Sequence, residues 1–232
     1  MIRRAHPLLL LSALLLLAPM LWSEEAAKPP VLLFVGDSIT AGFGLQEEEA
    51  YPALLSQDLL AHGLQVRVVN AGLSGDTLRG GLGRLPWLLR QEPRWLVIAL
   101  GANDGLRGLP LADSEKALRE MVRLGQEAGA KVILFGIDLP SNYGDRYRQE
   151  FRQMFRQVAD DKELPLLPFF IEGVAMKPEL NLADRIHPNA EGQRVVANTV
   201  RDFLLPILDP DFSPAEETSD DPAPATDTET QP

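Results

Sequence analysis

The sequence predicts an α/β fold of three layers, in which helices cover both faces of a parallel sheet. Between about residues 30 and 208, short apolar runs rich in β-branched and aromatic residues alternate with longer segments of helical character. The apolar runs lack polar alternation, which is typical of strands buried on both faces. Because helix-length segments separate these strands, neighbouring strands are expected to run parallel.

Five segments carry the strand signature and five carry the helical one. The predicted strands are 31–35, 65–70, 95–100, 131–137 and, more weakly, 164–169. The predicted helices are 50–62, 81–91, 113–128, 145–160 and 191–205. In the third helix, Ser114, with Asp113 and Glu115 beside it, resembles an N-terminal cap, and Gly129 follows the last turn.

Both ends of the chain differ in composition from the α/β region, which we place at 29–208. In 1–28, two arginines precede an apolar run of about 15 residues, shorter than the ~20 needed to span a bilayer. This pattern predicts an export signal, with an uncleaved membrane anchor as the alternative because no clear small-residue cleavage site follows. The segment 209–232 is acidic, proline-rich and poor in apolar residues, so we expect it to be disordered.

The charge and the residue types present exclude several classes of function. The chain has 33 acidic and 22 basic residues and a net charge of −11, which argues against a nucleic-acid partner. It has no cysteine, so disulfides, thiolate metal ligands and a cysteine nucleophile are excluded. With three histidines, one of them in the predicted signal, a metal site is not expected.

Polar residues follow the predicted strands, and in open α/β sheets ligands bind at this edge. GDSIT follows the first strand, NAGLSGDT the second and GANDG the third, while DRIHPN precedes the last helix. These motifs supply a hydroxyl at Ser38, a backbone N–H at Gly72, an amide at Asn103 and a carboxylate with an imidazole at Asp184 and His187. Together they are the groups that acyl transfer requires.

Histidine supply decides which residues could act on Ser38. His6 lies in the predicted signal and His62 in a turn, so His187 is the histidine placed among the strand ends. Asp184, three residues earlier, can reach the imidazole of His187 within one turn. GDS also fits a turn with a helix N-cap, and both interpretations can hold at once.

The four motifs, in this order, resemble the conserved blocks of the SGNH or GDSL hydrolase family. Over about 31–208 the chain is similar to its bacterial branch of multifunctional esterases, acyl-CoA thioesterases and lysophospholipases. The resemblance implies that Ser38 is the nucleophile in a triad with Asp184 and His187, and that Ser38, Gly72 and Asn103 hold the oxyanion. It also implies a flavodoxin-like sheet of order 2-1-3-4-5 and no cofactor. Ile39, where the family has leucine, keeps an aliphatic side chain.

The substrate is expected to be a small acyl ester. The loops 105–111 and 139–147 follow the third and fourth strands and mix Leu, Pro and Tyr with Gly, which suits a groove for an acyl chain. The predicted substrate-binding residues are Asp37, Leu106, Leu109, Asn142, Tyr143 and Ile186. We expect a monomer, in the periplasm or secreted, that acts on lysophospholipids and aryl esters more than on acyl-CoA and touches membrane surfaces transiently.

Two alternatives remain at this point. A carbohydrate acetylesterase would use the same fold and the same polar residues on a much shorter acyl group. A flavin-binding protein would use GDSIT as a phosphate-binding loop at a helix N-terminus. The flavin interpretation leaves Asn103, Asp184 and His187 without a role.

Overall fold

The computed structural model describes residues 28–209. The predicted export signal at 1–28 and the predicted acidic tail at 209–232 lie outside the described residues, except for Lys28 and Asp209. Within the described part, no helix combines the length and the apolar composition needed to cross a membrane.

Five parallel strands form a single sheet, and their order confirms the predicted three-layer fold. The strands are β1 (Val31–Gly36), β2 (Arg67–Gly72), β3 (Trp95–Ala99), β4 (Lys131–Phe135) and β5 (Leu166–Leu167). Their spatial order is β2-β1-β3-β4-β5. β1 and β3 are buried along their whole length because helices cover both faces and nearly all their side chains are apolar.

Helices form the two outer layers. They are α1 (Ser38–Ala41), α2 (Tyr51–Ala61), α3 (Leu78–Leu88), α4 (Ala102–Leu106), α5 (Leu111–Glu127), α6 (Asp145–Lys162) and α7 (Ala190–Leu208). α2 packs against α7, whereas α5 packs against α3 and α6. Right-handed crossovers place these groups on opposite faces, because the chain moves one way along the sheet from β1 to β2 and the other way towards β5.

The observed boundaries correct several predictions. α5 begins at Leu111, so the predicted cap at Ser114 is wrong; the Ser114 hydroxyl instead donates to Oδ1 of Asp104 at 2.9 Å. β5 keeps two residues of the predicted 164–169, since the prolines on either side remove ladder donors. The one-turn helices α1 and α4 are too short to give a periodic pattern.

The strand register brings the polar motifs to one edge. Gly36 at the end of β1 is level with Gly72 in β2 and with Ala99 in β3. The segments that follow these three strands therefore leave the sheet side by side, at the carboxyl edge where α/β proteins bind ligands.

Candidate active site

Three side chains from opposite ends of the chain form a hydrogen-bonded line at this edge. Nε2 of His187 lies 2.9 Å from Oγ of Ser38, and Nδ1 of His187 lies 2.7 Å from Oδ2 of Asp184. The structure thus brings together the three residues that the sequence places in a triad. A hydroxyl, an imidazole and a carboxylate in this order can activate the serine oxygen as a nucleophile.

Ser38 is the first residue of α1 and follows β1 after a single residue. That residue, Asp37, caps the helix, because its Oδ1 accepts the backbone N–H of Ile39 at 3.0 Å. The N–H of Ser38 belongs to the first turn and has no acceptor within the helix, so it remains available as a hydrogen-bond donor. Burial raises the pKa of Asp37 to about 6.

Polar side chains from distant elements hold α1 in place. Nε2 of buried Gln193, in α7, donates to the carbonyl of Ile39 at 3.1 Å, while its Oε1 accepts the N–H of Tyr51 at 2.9 Å. Nδ2 of Asn70 donates to the carbonyl of Thr40 at 2.8 Å. A single helical turn is not stable by itself, so these tertiary bonds fix the position of Ser38.

His187 is oriented by a tight loop before α7. The backbone N–H groups of Ile186 and His187 donate to Oδ1 of Asp184 at 2.9 and 3.0 Å. The hydrogen bond from the His187 side chain, joined by these N–H groups, lowers the pKa of Asp184 to about 2, so Asp184 is ionised at neutral pH. The ring of Phe43, which the sequence did not single out, lies 4.4 Å from the imidazole, centroid to centroid.

Asn103 in α4 and Gly75 in the loop after β2 present hydrogen-bond donors at the same edge. Nη2 of Arg107 donates to the Gly75 carbonyl at 2.9 Å and lies 3.4 Å from Oδ1 of Asn103, so it joins the two segments. With its oxygen engaged, Asn103 retains Nδ2 as a donor. Gly75 has a left-handed backbone with φ of 80°, and within residues 28–209 its N–H has no acceptor.

Gly72 has a packing role that does not fit the predicted oxyanion donor. Its N–H donates to Oδ1 of Asn70 at 2.9 Å and is therefore engaged. A Cβ at position 72 would lie 2.3 Å from the backbone nitrogen of Ala41, so glycine is required for α1 to approach β2. Gly75, three residues later in the same motif, fits the donor role better.

Arg84, which the sequence analysis missed, ties the strand ends together. Its Nε pairs with Oδ2 of buried Asp76 at 2.7 Å. Its Nη1 and Nη2 donate to the carbonyls of Ala71 at 2.6 Å and Gly36 at 3.0 Å. One guanidinium thus joins the ends of β1 and β2 to the loop that carries Gly75.

A mainly apolar cavity of about 550 Å³ adjoins this line of side chains. Its lining includes Ile39, Ala102 and Ile186, which are the chain neighbours of Ser38, Asn103 and His187. Four of the predicted substrate-binding residues line it, namely Leu106, Asn142, Tyr143 and Ile186. The other two do not: Asp37 caps α1, and Leu109 lies outside the lining.

A hydrogen bond links the loops 105–111 and 139–147, which the sequence predicts to bind the acyl chain. The Tyr143 hydroxyl donates to the carbonyl of Leu106 at 2.8 Å. Within residues 28–209, no group of three or more acidic or histidine side chains is arranged to hold a metal ion.

The parallel sheet and this line of side chains define a class of protein, the serine hydrolases built on a flavodoxin-like sheet. The chain belongs to the GDSL-like lipase/acylhydrolase family, whose model matches residues 34–195. This match confirms the family that the four motifs resemble, and it favours the hydrolase interpretation over the flavin-binding alternative.

Individual relatives agree with the family match. The thioesterase 1/protease 1/lysophospholipase L1 of Escherichia coli K12 is 41% identical over 188 residues, covering 81% of this chain and 89% of the relative. Esterase TesA of Pseudomonas aeruginosa is 45% identical over 193 residues, covering 83% and 96%. The solved structure of the psychrotrophic esterase EstA from Pseudoalteromonas, inhibited by monoethylphosphonate, is 37% identical with a TM-score of 0.74, covering 77% and 98%.

Proposed function

We propose that this protein is a serine esterase that cleaves the carboxylic ester bond of single-chain acyl substrates through an acyl-enzyme on Ser38. Lysophospholipids and aryl esters are the main class, and thioesters such as acyl-CoA are a secondary one. The observation that carries the proposal is the line from Ser38 through His187 to Asp184 beside an apolar cavity.

In the proposed reaction, His187 takes the proton of Ser38 as its oxygen attacks the ester carbonyl. The oxyanion accepts hydrogen bonds from the N–H groups of Ser38 and Gly75 and from Nδ2 of Asn103. His187 then gives its proton to the departing alcohol, leaving the acyl group on Ser38. A water deprotonated by His187 releases the acid, and ionised Asp184 holds the imidazole tautomer throughout.

The cavity and the relatives support a longer acyl chain over acetyl. Its volume of about 550 Å³ lies within the range of small-molecule sites, and Leu106, Leu139 and Phe169 are among its lining residues. An acetyl group would leave most of this apolar space unfilled. The relatives named thioesterase, lysophospholipase and esterase support hydrolysis of ester and thioester bonds.

We further propose that 1–28 directs export to the periplasm, that 29–208 is one catalytic domain and that 209–232 is an acidic tail outside it. The proposal also includes a monomer that touches membranes transiently. The ring of Phe43 lies beside the imidazole of His187, and Ile186 precedes His187 in the chain. These two side chains are 46% and 50% exposed, which supports contact with lipid.

The test is a substrate panel with Ser38→Ala and, as a matched control, Ser141→Ala in the cavity wall. We expect Ser38→Ala to abolish fluorophosphonate labelling and to lower kcat by about 10⁴-fold or more, whereas Ser141→Ala keeps its label. Labelling retained by Ser38→Ala would move the nucleophile elsewhere. In a p-nitrophenyl series, an acetyl preference with no gain from longer chains would favour the carbohydrate acetylesterase.

A further inference from the structure

Four non-glycine residues between 28 and 209 have a left-handed backbone, and two of them line the cavity. Glu92 and Glu163 follow the ends of helical segments, where a left-handed residue commonly closes the last turn. Met176 and Arg185, with φ of 65° and 60°, instead both line the apolar cavity. A side chain there carries a conformational cost that glycine would not have.

The loop around Arg185 explains why its backbone is left-handed. The N–H of Arg185 donates to the carbonyl of Leu182 at 2.9 Å, and the next two N–H groups donate to Asp184. This turn brings His187 to Ser38. Glycine would satisfy the same geometry, so the turn explains the backbone at position 185 and leaves the arginine side chain without a structural reason.

The charge of Arg185 is the unusual feature of the cavity. Of the charged residues in the lining, Asp138 and Arg148 form an ion pair, with Oδ2 and Nη2 2.7 Å apart, and Asp138 also pairs with Arg152 at 2.8 Å. The Arg185 guanidinium is exposed and makes no salt bridge or hydrogen bond within the described part of the chain. Arg185 is thus the charged residue of the lining that has no ionic partner within residues 28–209, and it lies two residues from His187.

We propose that Arg185 binds a phosphate in the leaving group of the substrate, so that the site selects lysophospholipids over neutral monoacylglycerols. The inference rests on the proposed ester hydrolysis and adds the residue that distinguishes a phosphate-bearing leaving group from a neutral one. With the acyl chain in the cavity and the carbonyl at Ser38, the leaving group stays at the mouth, near residue 185. Arginine presents a planar set of donors that suits phosphate oxygens.

The test uses two substrates with the same acyl chain, 1-lauroyl-lysophosphatidylglycerol and 1-lauroylglycerol, both at monomeric concentrations. The readout is the ratio of their kcat/KM values. Arg185→Gly is expected to lower this ratio about tenfold, the size of a charged hydrogen-bonded contact, and Arg185→Lys to lower it less. Because glycine adopts this backbone freely, we expect the Tm of Arg185→Gly not to fall.

Met176→Gly is the matched control, since it removes a neutral side chain from the same cavity at a left-handed position. It should affect both substrates alike and leave the ratio unchanged. An unchanged ratio in Arg185→Gly, or an equal fall in Met176→Gly, would overturn the inference.

Coenzyme A also carries phosphates, so a second pair compares lauroyl-CoA with the neutral thioester S-lauroyl-N-acetylcysteamine. A fall confined to the lysophospholipid pair supports the lipid headgroup, whereas a fall confined to the thioester pair overturns that assignment. The proposed function fails separately, if the wild-type protein hydrolyses neither lauroyl ester nor p-nitrophenyl laurate.

Discussion

The proposed reaction centre, formed by Ser38, Asp184 and His187, and the walls of the apolar cavity are held in place by different contacts. Around Ser38, the buried side chain of Gln193 and the half-buried side chain of Arg84 bond to backbone carbonyls of α1, β1 and β2. The walls are built mainly from apolar side chains and are joined through the Tyr143 hydroxyl. Directional hydrogen bonds therefore fix the geometry around Ser38, whereas substrate choice depends on apolar packing that can adjust.

The largest effect is expected at the reaction centre. In the proposed reaction Asn103 donates to the oxyanion in the transition state, so Asn103→Ala should lower kcat about 10²- to 10³-fold with little change in KM. Steady-state kinetics on p-nitrophenyl laurate measure it. Asn142→Ala, which removes an amide from the cavity wall, is the control and should act mainly on KM. A fall in kcat for Asn142→Ala, with a change only in KM for Asn103→Ala, would contradict the proposed roles.

A second test measures what burial costs at the reaction centre. Burial raises the pKa of Asp37 from 3.8 to about 6, so the folded protein holds this proton longer than the unfolded chain. Stability should therefore fall by about 3 kcal/mol as pH rises from about 4 to above 6. Asp37→Asn keeps the cap without the charge, so its advantage over wild type should grow across that window in urea unfolding.

Asp184→Asn is the control of opposite sign. The pKa of Asp184 is lowered from 3.8 to about 2 by its bonds to His187, so its contribution to stability is present above pH 4 and lost as pH falls towards 2. Asp184→Asn should therefore lose stability at neutral pH, with the loss disappearing in acid. Parallel pH profiles for Asp37→Asn and wild type would show that burial carries no such cost.

Much of the fold can be predicted from patterns that each lie within one continuous segment of the sequence. β1 and β3 are continuous apolar runs, and their burial on both faces leaves little choice of structure. The shape of β5 was less predictable, because prolines on either side limit its pairing. The role of Ser114 also depended on a partner, Asp104, that only the folded chain brings close.

The residues of the candidate site also differ in how well the sequence alone predicts them. Ser38 and His187 could be predicted because the chemistry needs those residue types and the chain offers few candidates. The sequence could not decide whether Gly72 or Gly75 offers a free N–H, because the motif NAGLSGDT does not show which backbone N–H groups already have an acceptor. Arg84 was missed because an arginine on a helix is usually exposed, and its three acceptors come from other elements.

The smallest expected effect concerns the walls. Tyr143→Phe removes the hydroxyl that donates to the Leu106 carbonyl and should lower the free energy of unfolding by about 1 kcal/mol. Without this hydrogen bond between the walls, the preference for lauroyl over acetyl p-nitrophenyl esters should shrink about fivefold in kcat/KM. Hydrolysis of the acetyl ester, which does not need the walls, should change little.

Tyr147→Phe is the matched control for this test. The Tyr147 hydroxyl is buried and has no hydrogen-bond partner within residues 28–209, so removing it should not destabilise the protein. If both variants lose the same stability, the loss does not come from the hydrogen bond between Tyr143 and Leu106. If Tyr143→Phe instead lowers the rate on acetyl and lauroyl esters equally, the wall supports the reaction centre, and the division between directional and adjustable contacts does not hold.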